Sequence, residues 1–364
     1  MNKTSTNRIL SIDVFRGITM FLLIGEFTGL MGLLTPQSLE GTLIYSLGEQ
    51  FHHHPWNGLR FWDLIQPYFM FIVGLSLPFA VLNRKKKGEN DKQILQHTLR
   101  RSAKLLFLGW ALYCIGPGEI TFYFQNVLAQ IAVTYLIAYL IMNKSITFQI
   151  VLSFTLLALT EAVYRLFSVE GFDEPFVNQK NFGFWLDLQY GGESSGGWAS
   201  INAIPTAAHT IWGVLIGKLL MGEKSLKTKL RTMIFIGLAL IMVGYLMDPI
   251  TPIIKRISTS SFVIVSGGWS ILTLAFLFWI IDFLRLKGKW TLFFSVVGMN
   301  SLFIYLFGHV GGAKLIEQIL HPFTYAIFDR WGVLSAEILT SLFVWMSLWW
   351  ICYWMYKNKI FIKI

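Results

Sequence analysis

The feature that most constrains this chain is a series of apolar segments that approach or reach the length of a membrane span. A transmembrane helix needs about 20 consecutive, mostly apolar residues. Stretches rich in charge, Pro or Gly separate the segments. The sequence therefore predicts an all-α, polytopic membrane helix bundle of about ten transmembrane helices. The predicted spans are 14–34, 61–82, 102–117, 126–142, 146–167, 201–221, 232–248, 260–283, 291–309 and 333–355.

The composition agrees with a membrane protein. Only 14% of the residues are charged, whereas a soluble domain carries about 25%. The 16% of aromatic residues suits lipid-facing surfaces and interfacial belts. The first apolar run is too long for a typical signal peptide and lacks a small-residue cleavage site, so we expect it to be the first span. Cys114 and Cys352 fall inside apolar runs and offer neither a disulfide framework nor metal-ligand spacing.

The distribution of basic residues predicts that both termini are cytoplasmic. Short cytoplasmic loops of membrane proteins carry an excess of Lys and Arg. With the N-terminus inside, 23 of the 30 Lys and Arg residues lie on the cytoplasmic side, eight of them in loop 83–104. Because the net charge of +10 is mainly this topology signal, we expect no nucleic-acid partner. The seven basic residues on the other side are Arg60, Arg165, Lys180, Lys255, Arg256, Lys314 and Arg330.

Polar residues recur at helical spacing inside three predicted spans. They either join helices by hydrogen bonds or line a polar pathway or site. Two intramembrane histidines on separate stripes favour a polar cavity but do not identify its ligand. The stripes are Asn202, Thr206, His209 and Gly213; Ser301, Tyr305 and His309; and Asn126, Gln130 and Thr134.

The first span carries charged residues with two interpretations each. Asp13 and Arg16, three residues apart, suit either a local ion pair or an interfacial anchor. Glu26 is predicted to lie in the middle of the span. Because desolvation opposes its charge, this carboxyl is expected either to be protonated or to face a cavity.

Three consecutive histidines, His52 to His54, lie in the predicted outer loop 35–60. A metal site there would need further ligands at suitable spacing, and the sequence offers none, so we expect no metal. A purely structural loop is the second interpretation. The third, which we prefer, is a general base or acyl carrier, because the pKa of histidine lies near the operating pH.

Several motifs follow one another in order over nearly the whole chain. They are Ser11-Ile12-Asp13-Val14-Phe15-Arg16-Gly17, His53 with Trp56-Asn57-Gly58-Leu59, Asp63-Leu64-Ile65 with Pro67, Arg101-Ser102, Ile201-Asn202-Ala203-Ile204, Gly298-Met299-Asn300-Ser301-Leu302 with Tyr305 and Gly308-His309, and the ending Lys359 to Ile364. Together these motifs resemble the heparan-alpha-glucosaminide N-acetyltransferase family and its bacterial relatives.

The resemblance implies a single transmembrane acyltransferase domain over residues 1–364. Such an enzyme takes acetyl-CoA from the cytosol as co-substrate. It transfers the acetyl group to a glucosamine-type amine on the far side of the membrane, here expected to be the bacterial cytoplasmic (inner) membrane. The expected partners are an amino sugar or glycan acceptor and membrane lipid, and homo-oligomerisation is left open.

The resemblance assigns the catalytic histidine to His53, by its position three residues before Trp56. Asp63 is expected either to orient that histidine or to cap the start of the second span. Trp56, Asn57 and Glu26 are the candidate acceptor contacts. For the CoA phosphates and the pantetheine arm, the candidates are Arg16, Arg100, Arg101, Lys104, Asn202, His209, Asn300, Ser301 and His309.

The sequence departs from the family pattern at three places. Glu26, Phe27 and Thr28 stand where an Asn is usual late in span one, Ala129-Gln130 stand where Gln-Arg is common, and Gln66 precedes Pro67 where an aromatic is usual. Two alternatives to the amine acetyltransferase therefore stay open. One is an O-acetyltransferase of a surface glycan, and the other is a non-enzymatic solute transporter.

Overall fold

The computed structural model of the chain describes residues 9–192 and 196–362. Within these residues the chain is helical and contains no strand, so the all-α prediction is confirmed. Lys3 and Arg8, which contribute to the charge bias, lie outside the described residues. So do Glu193 and the last two residues of the Lys359 to Ile364 ending.

The described part of the chain forms fifteen α-helices joined by short segments. They are α1 (Leu10–Glu26), α2 (Leu30–Leu33), α3 (Leu43–Glu49), α4 (Ile65–Lys86), α5 (Asp91–Ile115), α6 (Val127–Ile141), α7 (Ile146–Leu166), α8 (Phe182–Leu188), α9 (Ala203–Met221), α10 (Leu226–Met247), α11 (Ser260–Phe278), α12 (Lys289–Met299), α13 (Ser301–His309), α14 (Gly312–Phe328) and α15 (Val333–Lys357).

Six helical segments of the described chain are long and apolar enough to cross a membrane. A seventh candidate is the pair α12 and α13, which meet at a bend of 65°. The prediction of about ten spans stays a prediction. The six segments, including short 3₁₀ or π-helical extensions, are Phe61–Lys86, Ile146–Leu166, Ser200–Met221, Leu226–Met247, Ser260–Phe283 and Val333–Lys357.

The structure corrects the predicted boundaries at several places. α1 begins and ends earlier than the predicted span 14–34, because the chain turns after Glu26 and Gly29 adopts a left-handed φ of 71°. Glu26 is therefore the exposed last residue of α1 and does not lie in the middle of a span. α5 starts eleven residues before the predicted 102–117, at Asp91. Helices α3, α8 and α14 were not predicted.

The two helices within the predicted span 291–309 together remain one candidate span, which is broken by a bend at Asn300. This residue has φ −119° and ψ 32°, outside the helical region. Its side-chain amide donates to the Ile360 carbonyl at 3.0 Å, and its Oδ1 accepts from the Ile362 backbone N–H at 3.1 Å. The amide thus bonds to a distant backbone segment at the point where the helix changes direction.

The helices group into two compact units. The first comprises Met1–Leu33, Ser225–Thr232 and Leu272–Lys363. Within it, α1 packs closely on α12 because both surfaces carry glycine: a Cβ on Gly17 would lie 2.0 Å from the Phe294 carbonyl oxygen. Small residues that allow backbones to approach are the usual packing device of membrane helices.

The second unit comprises Leu34–Lys224 and Met233–Ile271. Its centre is the pair α4 and α9, which approach at backbone distance. A Cβ on Gly74 would lie 1.9 Å from the Thr210 carbonyl oxygen, and one on Gly213 would lie 2.2 Å from that of Phe71. Gly213, which the sequence places on the polar stripe of the sixth span, therefore has a packing role.

Candidate active site

Three connecting segments of the second unit, 51–60, 196–202 and 253–257, are tied together by hydrogen bonds. The Gly58 N–H donates to the Ile253 carbonyl at 2.8 Å. The Arg256 carbonyl accepts from the Ala199 N–H at 3.2 Å and from the Asn202 side-chain amide at 2.7 Å. Residues about 200 positions apart in the chain are thereby held in one cluster, with His53 among them.

Asp63 connects this cluster to the start of α4. Its side chain is only 1% exposed. Oδ2 accepts from the backbone N–H groups of Arg60 at 2.9 Å and His54 at 3.2 Å, and Oδ1 lies 3.0 Å from His53 Nδ1. The same carboxylate thus caps the 3₁₀ turn Phe61–Leu64 and contacts the histidine, so both contacts that the sequence suggests for Asp63 are present.

Lys255 is the second group at the same ring nitrogen. Its Nζ lies 2.9 Å from His53 Nδ1 and 3.7 Å from Asp63 Oδ1, and its side chain is 7% exposed. The ammonium also lies over the ring of Trp198, 5.2 Å from the centroid. The Arg256 guanidinium contacts the same ring at 5.7 Å. Two cations and an aromatic face therefore surround one side of His53.

The imidazole is held in its neutral form. Burial and the Lys255 ammonium lower the pKa of His53 from 6.5 to about 4, against the opposing effect of Asp63. The side chain still has 31% of its surface exposed. With Nδ1 directed at Asp63 and Lys255, Nε2 is the nitrogen left for a reactant. A neutral imidazole of this kind can accept a proton or attack an acyl group.

The local backbone explains why the His53 segment needs glycine. Gly58 has a φ of 144°, which L side chains rarely adopt, and a Cβ there would lie 2.6 Å from the His54 ring. The His54 ring therefore covers this backbone turn. Its packing position differs from that of His53, although the two are neighbours in the sequence.

The candidate acceptor contacts of this loop lie beside the cluster. The Trp56 indole N–H donates to the Phe176 carbonyl at 2.7 Å, and its ring packs against the buried cluster of Tyr164, Ala199, Ile254 and Ile257. Asn57 is exposed. The roles of both residues in binding stay predictions.

Asn202 and His209 are buried where α9 begins and in its middle. His209 Nε2 lies 3.0 Å from the Val263 carbonyl oxygen and 2.9 Å from Ser266 Oγ, both on α11. His209 Nδ1 and Asn202 Oδ1 are buried and have no hydrogen-bond partner within residues 9–192 and 196–362. The hydrogen bonds of His209 join α9 to α11, as one interpretation of the sequence expects. That the two unpaired atoms line a polar pathway stays a prediction.

Five predicted contacts belong to the first unit. Arg16 pairs with Asp13 at 3.7 Å, as one interpretation of the sequence expects. The His309 ring packs on Phe27 and Tyr305, with centroids 4.8 and 4.4 Å apart. Ser301 begins α13, Asn300 bonds to the chain near Ile360, and Glu26 ends α1. Their contacts with substrates stay predictions.

A basic cluster lies at the other end of α4 from His53. Arg84 lies in the last turn of this helix, and His97, Arg101 and Lys104 follow on α5. Partial burial of the ring and the three cations lower the pKa of His97. Arg101 is the half-buried member: its guanidinium stacks over Tyr135 at 4.8 Å. Arg101 Nε is buried and has no hydrogen-bond partner in the described chain. Arg100 and Lys104 are exposed.

Sequence reasoning missed Lys255, Arg256, Trp198 and His97. The first two carry a signal that the charge count already contained. They are a basic pair on the side of the membrane where Lys and Arg are depleted. Nothing in the sequence separates Trp198 from the other tryptophans, of which the chain has 14 in all, so its place beside His53 could not be predicted.

Within residues 9–192 and 196–362, no three His, Cys, Asp or Glu side chains form a group that could hold a metal ion. The expectation that no metal takes part stays a prediction. His53 and Asp63 form a pair with a lysine, which is an arrangement for proton transfer and not for metal binding.

Comparison with known proteins agrees with the resemblance in the sequence. The family model described as "Heparan-alpha-glucosaminide N-acetyltransferase, catalytic" matches residues 8–248. Two relatives of the chain, from Mus musculus and Homo sapiens, carry the name heparan-alpha-glucosaminide N-acetyltransferase. They are 30% identical over 119 residues and 32% identical over 114 residues.

The aligned parts cover 32% and 30% of this chain but only 16% and 15% of the relatives' own lengths. The family match includes His53, Asp63 and Arg101 and ends before Lys255 and Arg256. It extends over about two thirds of the 364 residues. With its long apolar helices, the chain is an integral membrane protein, and it belongs to the heparan-alpha-glucosaminide N-acetyltransferase catalytic family.

Proposed function

We propose that this protein transfers an acetyl group from cytosolic acetyl-CoA to the amine of a glucosamine-type sugar on the opposite side of the membrane. Membership of the family and the names of the two relatives support this reaction class. The observation that carries the proposal is the neutral His53 imidazole, whose Nδ1 lies 3.0 Å from the buried Asp63 carboxylate.

The chemistry requires a base at the reacting amine. A protonated amine has no lone pair and cannot attack a thioester. When the neutral amine attacks, the nitrogen must lose a proton, and His53 Nε2 accepts it while Asp63 stabilises the imidazolium at Nδ1. The same proton then passes to the departing CoA thiolate. The products are an amide and free CoA thiol, so atoms and charges balance.

A second route uses the same nitrogen as an acyl carrier. His53 Nε2 attacks the thioester, the CoA thiolate leaves, and the acetyl-imidazole passes its acetyl group to the amine. Rapid denaturation at neutral pH after mixing with radiolabelled acetyl-CoA, without an acceptor, distinguishes the routes. Label on the protein that disappears on adding the amine indicates the carrier route.

The dimensions of α4 support a reaction that connects two membrane faces. This helix has 22 residues and is therefore about 33 Å long, close to the roughly 30 Å thickness of a bilayer core. The His53 cluster lies at its first turn and the basic cluster at its last. In the proposal, the CoA phosphates bind at the basic end, with Arg101 as the principal contact because guanidinium matches phosphate geometry.

The thioester must reach His53 from the basic end. We propose that the pantetheine arm follows a polar path along the interior, with Asn202 and His209 of α9 as contacts. Asn300, Ser301 and His309 belong to the first unit and stay separate candidate contacts with CoA, proposed from the sequence alone. Each is tested by alanine substitution with acetyl-CoA affinity as the readout. The bacterial cytoplasmic membrane is the proposed location.

The decisive experiment uses purified protein in detergent with radiolabelled acetyl-CoA and two acceptors. Glucosamine has a free amine, and N-acetylglucosamine has the same ring with the amine blocked. Label transfer to glucosamine alone supports the proposal. Equal transfer to both acceptors would mean that a hydroxyl is acetylated, and transfer to neither would contradict both acetyltransferase hypotheses for these acceptors.

One observation favours a second function. The break of 65° between α12 and α13 is a feature of transporters, in which interrupted helices form the solute site. A transporter would move an amino sugar into proteoliposomes unchanged, with no acetyl-CoA present. Uptake that is independent of acetyl-CoA would favour this alternative, whereas acetylated product in the lumen, formed only with external acetyl-CoA, supports the enzyme.

A further inference from the structure

His53 Nδ1 has two neighbours that make opposite demands on it. The Asp63 carboxylate oxygen lies 3.0 Å away and can only accept a proton. The Lys255 ammonium lies 2.9 Å away and can only donate one. A neutral imidazole has either a proton or a lone pair at Nδ1. It can therefore satisfy only one of the two neighbours at a time.

The two possibilities give His53 opposite properties at Nε2. When Nδ1 carries the proton and donates to Asp63, Nε2 has a free lone pair and acts as a base or nucleophile. When Lys255 donates to Nδ1, the proton of the neutral ring is on Nε2, which then acts as a hydrogen-bond donor. The group at Nδ1 thus decides which chemistry the exposed side of the ring can perform.

We infer that Lys255 is a positioning residue that sets the tautomer of His53: its ammonium binds Nδ1 in the resting protein, and its movement to Asp63 produces the reactive Nε2 lone pair. The inference rests on the proposed function only for the catalytic consequence of this change. The tautomer itself is a property of the free protein and can be measured without turnover.

The surroundings allow the Lys255 ammonium to move without losing its partners. Asp63 Oδ1 is 3.7 Å from Nζ, and the face of Trp198 is 5.2 Å away. Asp63 itself is fixed, because two backbone N–H groups bind its Oδ2. The lysine head is therefore the movable member of the triangle, and a short displacement exchanges one contact for another in a site where an unpaired ammonium would be costly.

The change conserves protons. The ring gives up its Nε2 proton to water and takes one from water at Nδ1, and Lys255 stays protonated throughout. In the catalytic cycle, the acceptor amine then gives its proton to Nε2, which passes it to the thiolate of CoA. When CoA and product leave, the ammonium returns to Nδ1 and the ring again carries its proton on Nε2.

Other charged groups also face the ring. Arg256 also lowers the pKa of His53, with a smaller effect than Lys255. The Arg60 guanidinium donates to the His53 carbonyl at 3.4 Å and is paired with Glu49 at 2.7 Å. Because Arg60 is paired with an acid and lies against the backbone, Lys255 is the cation that can act on Nδ1 directly.

The direct test is nitrogen NMR of protein labelled with ¹⁵N-histidine. The His53 signals are identified as those lost in His53→Gln. We expect the protonated ring nitrogen to be Nε2 in the native protein and Nδ1 in Lys255→Met, which removes the ammonium and keeps a chain of similar length. Lys255→Arg retains a charged donor and is expected to resemble the native protein. The same tautomer in the native protein and in Lys255→Met would overturn the inference.

A pH titration of the same signals gives a second readout. The native His53 is expected to titrate near pH 4, since burial and Lys255 oppose its charge. Without Lys255, Asp63 acts alone as the close charge, so the midpoint moves up, although burial still opposes the charge. The acid limb of kcat/KM follows the same direction: native activity falls only as the pH falls through about 4, and Lys255→Met loses activity at higher pH.

The two readouts separate the possible failures. If glucosamine is not acetylated but the tautomer changes in Lys255→Met, the proposed function fails and the inference stands. If transfer occurs and neither the tautomer nor the titration midpoint changes, the inference fails and the function stands. Should Lys255→Met not fold, as judged by size-exclusion chromatography and circular dichroism, Lys255→Leu provides the same comparison, because it also lacks a hydrogen-bond donor.

Discussion

The two ends of α4 carry charge in opposite ways. At the first turn, Asp63 and Lys255 have side chains that are 1% and 7% exposed, and both contact one imidazole. At the last turn, the ion pair of Lys85 and Asp91 has exposures of 46% and 80%. The first end of α4 thus contains a few charges that are desolvated and paired with each other. The last end contains many charges that are in contact with solvent.

This difference in burial suits the two ends of α4 to different functions. Charges in a low-dielectric site interact strongly and are little affected by salt, so they can fix the protonation of a neighbouring group. Exposed charges are screened beyond about 10 Å at 0.1 M salt and instead attract a charged ligand. The buried end suits proton transfer, and the exposed end suits the collection of a polyphosphate.

The largest effect is expected at the buried end. His53→Gln removes the proposed base and keeps a side chain able to form hydrogen bonds. We expect kcat to fall by about 10² to 10⁴, the usual contribution of a general base. Acetyl-CoA binding, measured by calorimetry, should change little, because the substitution is distant from the basic end.

The matched control for this prediction is His52→Gln. The Nε2 of this neighbour lies 3.1 Å from Thr35 Oγ1. It is expected to retain most of the transferase activity. Equal loss in both variants would mean that the loop fold matters and not the chemistry of His53.

The second prediction concerns stability at the same end. Asp63→Ala leaves the Lys255 ammonium in a site where it is 7% exposed, and breaking one partner of a buried pair typically costs about 3–5 kcal/mol. The double variant Asp63→Ala/Lys255→Met removes both charges and should recover a large part of the loss. Thermal unfolding in detergent measures both, and a double variant as unstable as the single one would contradict the explanation.

The third prediction moves to the exposed end. Arg101→Gln removes the half-buried guanidinium that stacks over Tyr135. Since hydrogen bonds to charged groups contribute about 1.5–3 kcal/mol, we expect KM for acetyl-CoA to rise by at least about tenfold with a smaller effect on kcat.

The control is Lys92→Gln, which removes the same charge from an exposed position on the same helix. It should change KM by less than about twofold, as exposed charges are screened. If both variants raise KM equally, net charge and not a specific contact holds the phosphates. If neither does, CoA binds elsewhere.

Much of the fold could be predicted from the sequence because apolar length is a local property. The boundaries of α6, α7 and α15 differ from the predicted spans by two residues or fewer. The bend at Asn300 could not be predicted in this way, because it depends on hydrogen bonds to Ile360 and Ile362, about 60 residues away. Glu26 was placed in the middle of a span because the residues after it are also apolar. Hydropathy does not reveal the turn that ends α1 at this residue.

For the candidate site, the sequence identified the members close to each other in the chain and missed the distant one. His53 and Asp63 are ten residues apart, and a family motif contains both. Lys255 is 202 residues from His53. Its contact depends on the hydrogen bonds between three connecting segments, which have no pattern in a single sequence. The sequence shows that Lys255 and Arg256 are basic residues on the side of the membrane where such residues are few. It does not show that Lys255 contacts His53.

The smallest effect is expected from Lys85→Gln, which breaks the 2.8 Å pair with Asp91. Both side chains are largely in solvent, where an ion pair contributes little, so we expect no change in thermal unfolding and a KM change below about twofold. This result is informative because the pair is as short as the contacts at His53. If Lys85→Gln affects KM or stability as strongly as Arg101→Gln or Asp63→Ala, then burial does not determine which charges matter, and the contrast between the two ends of α4 is wrong.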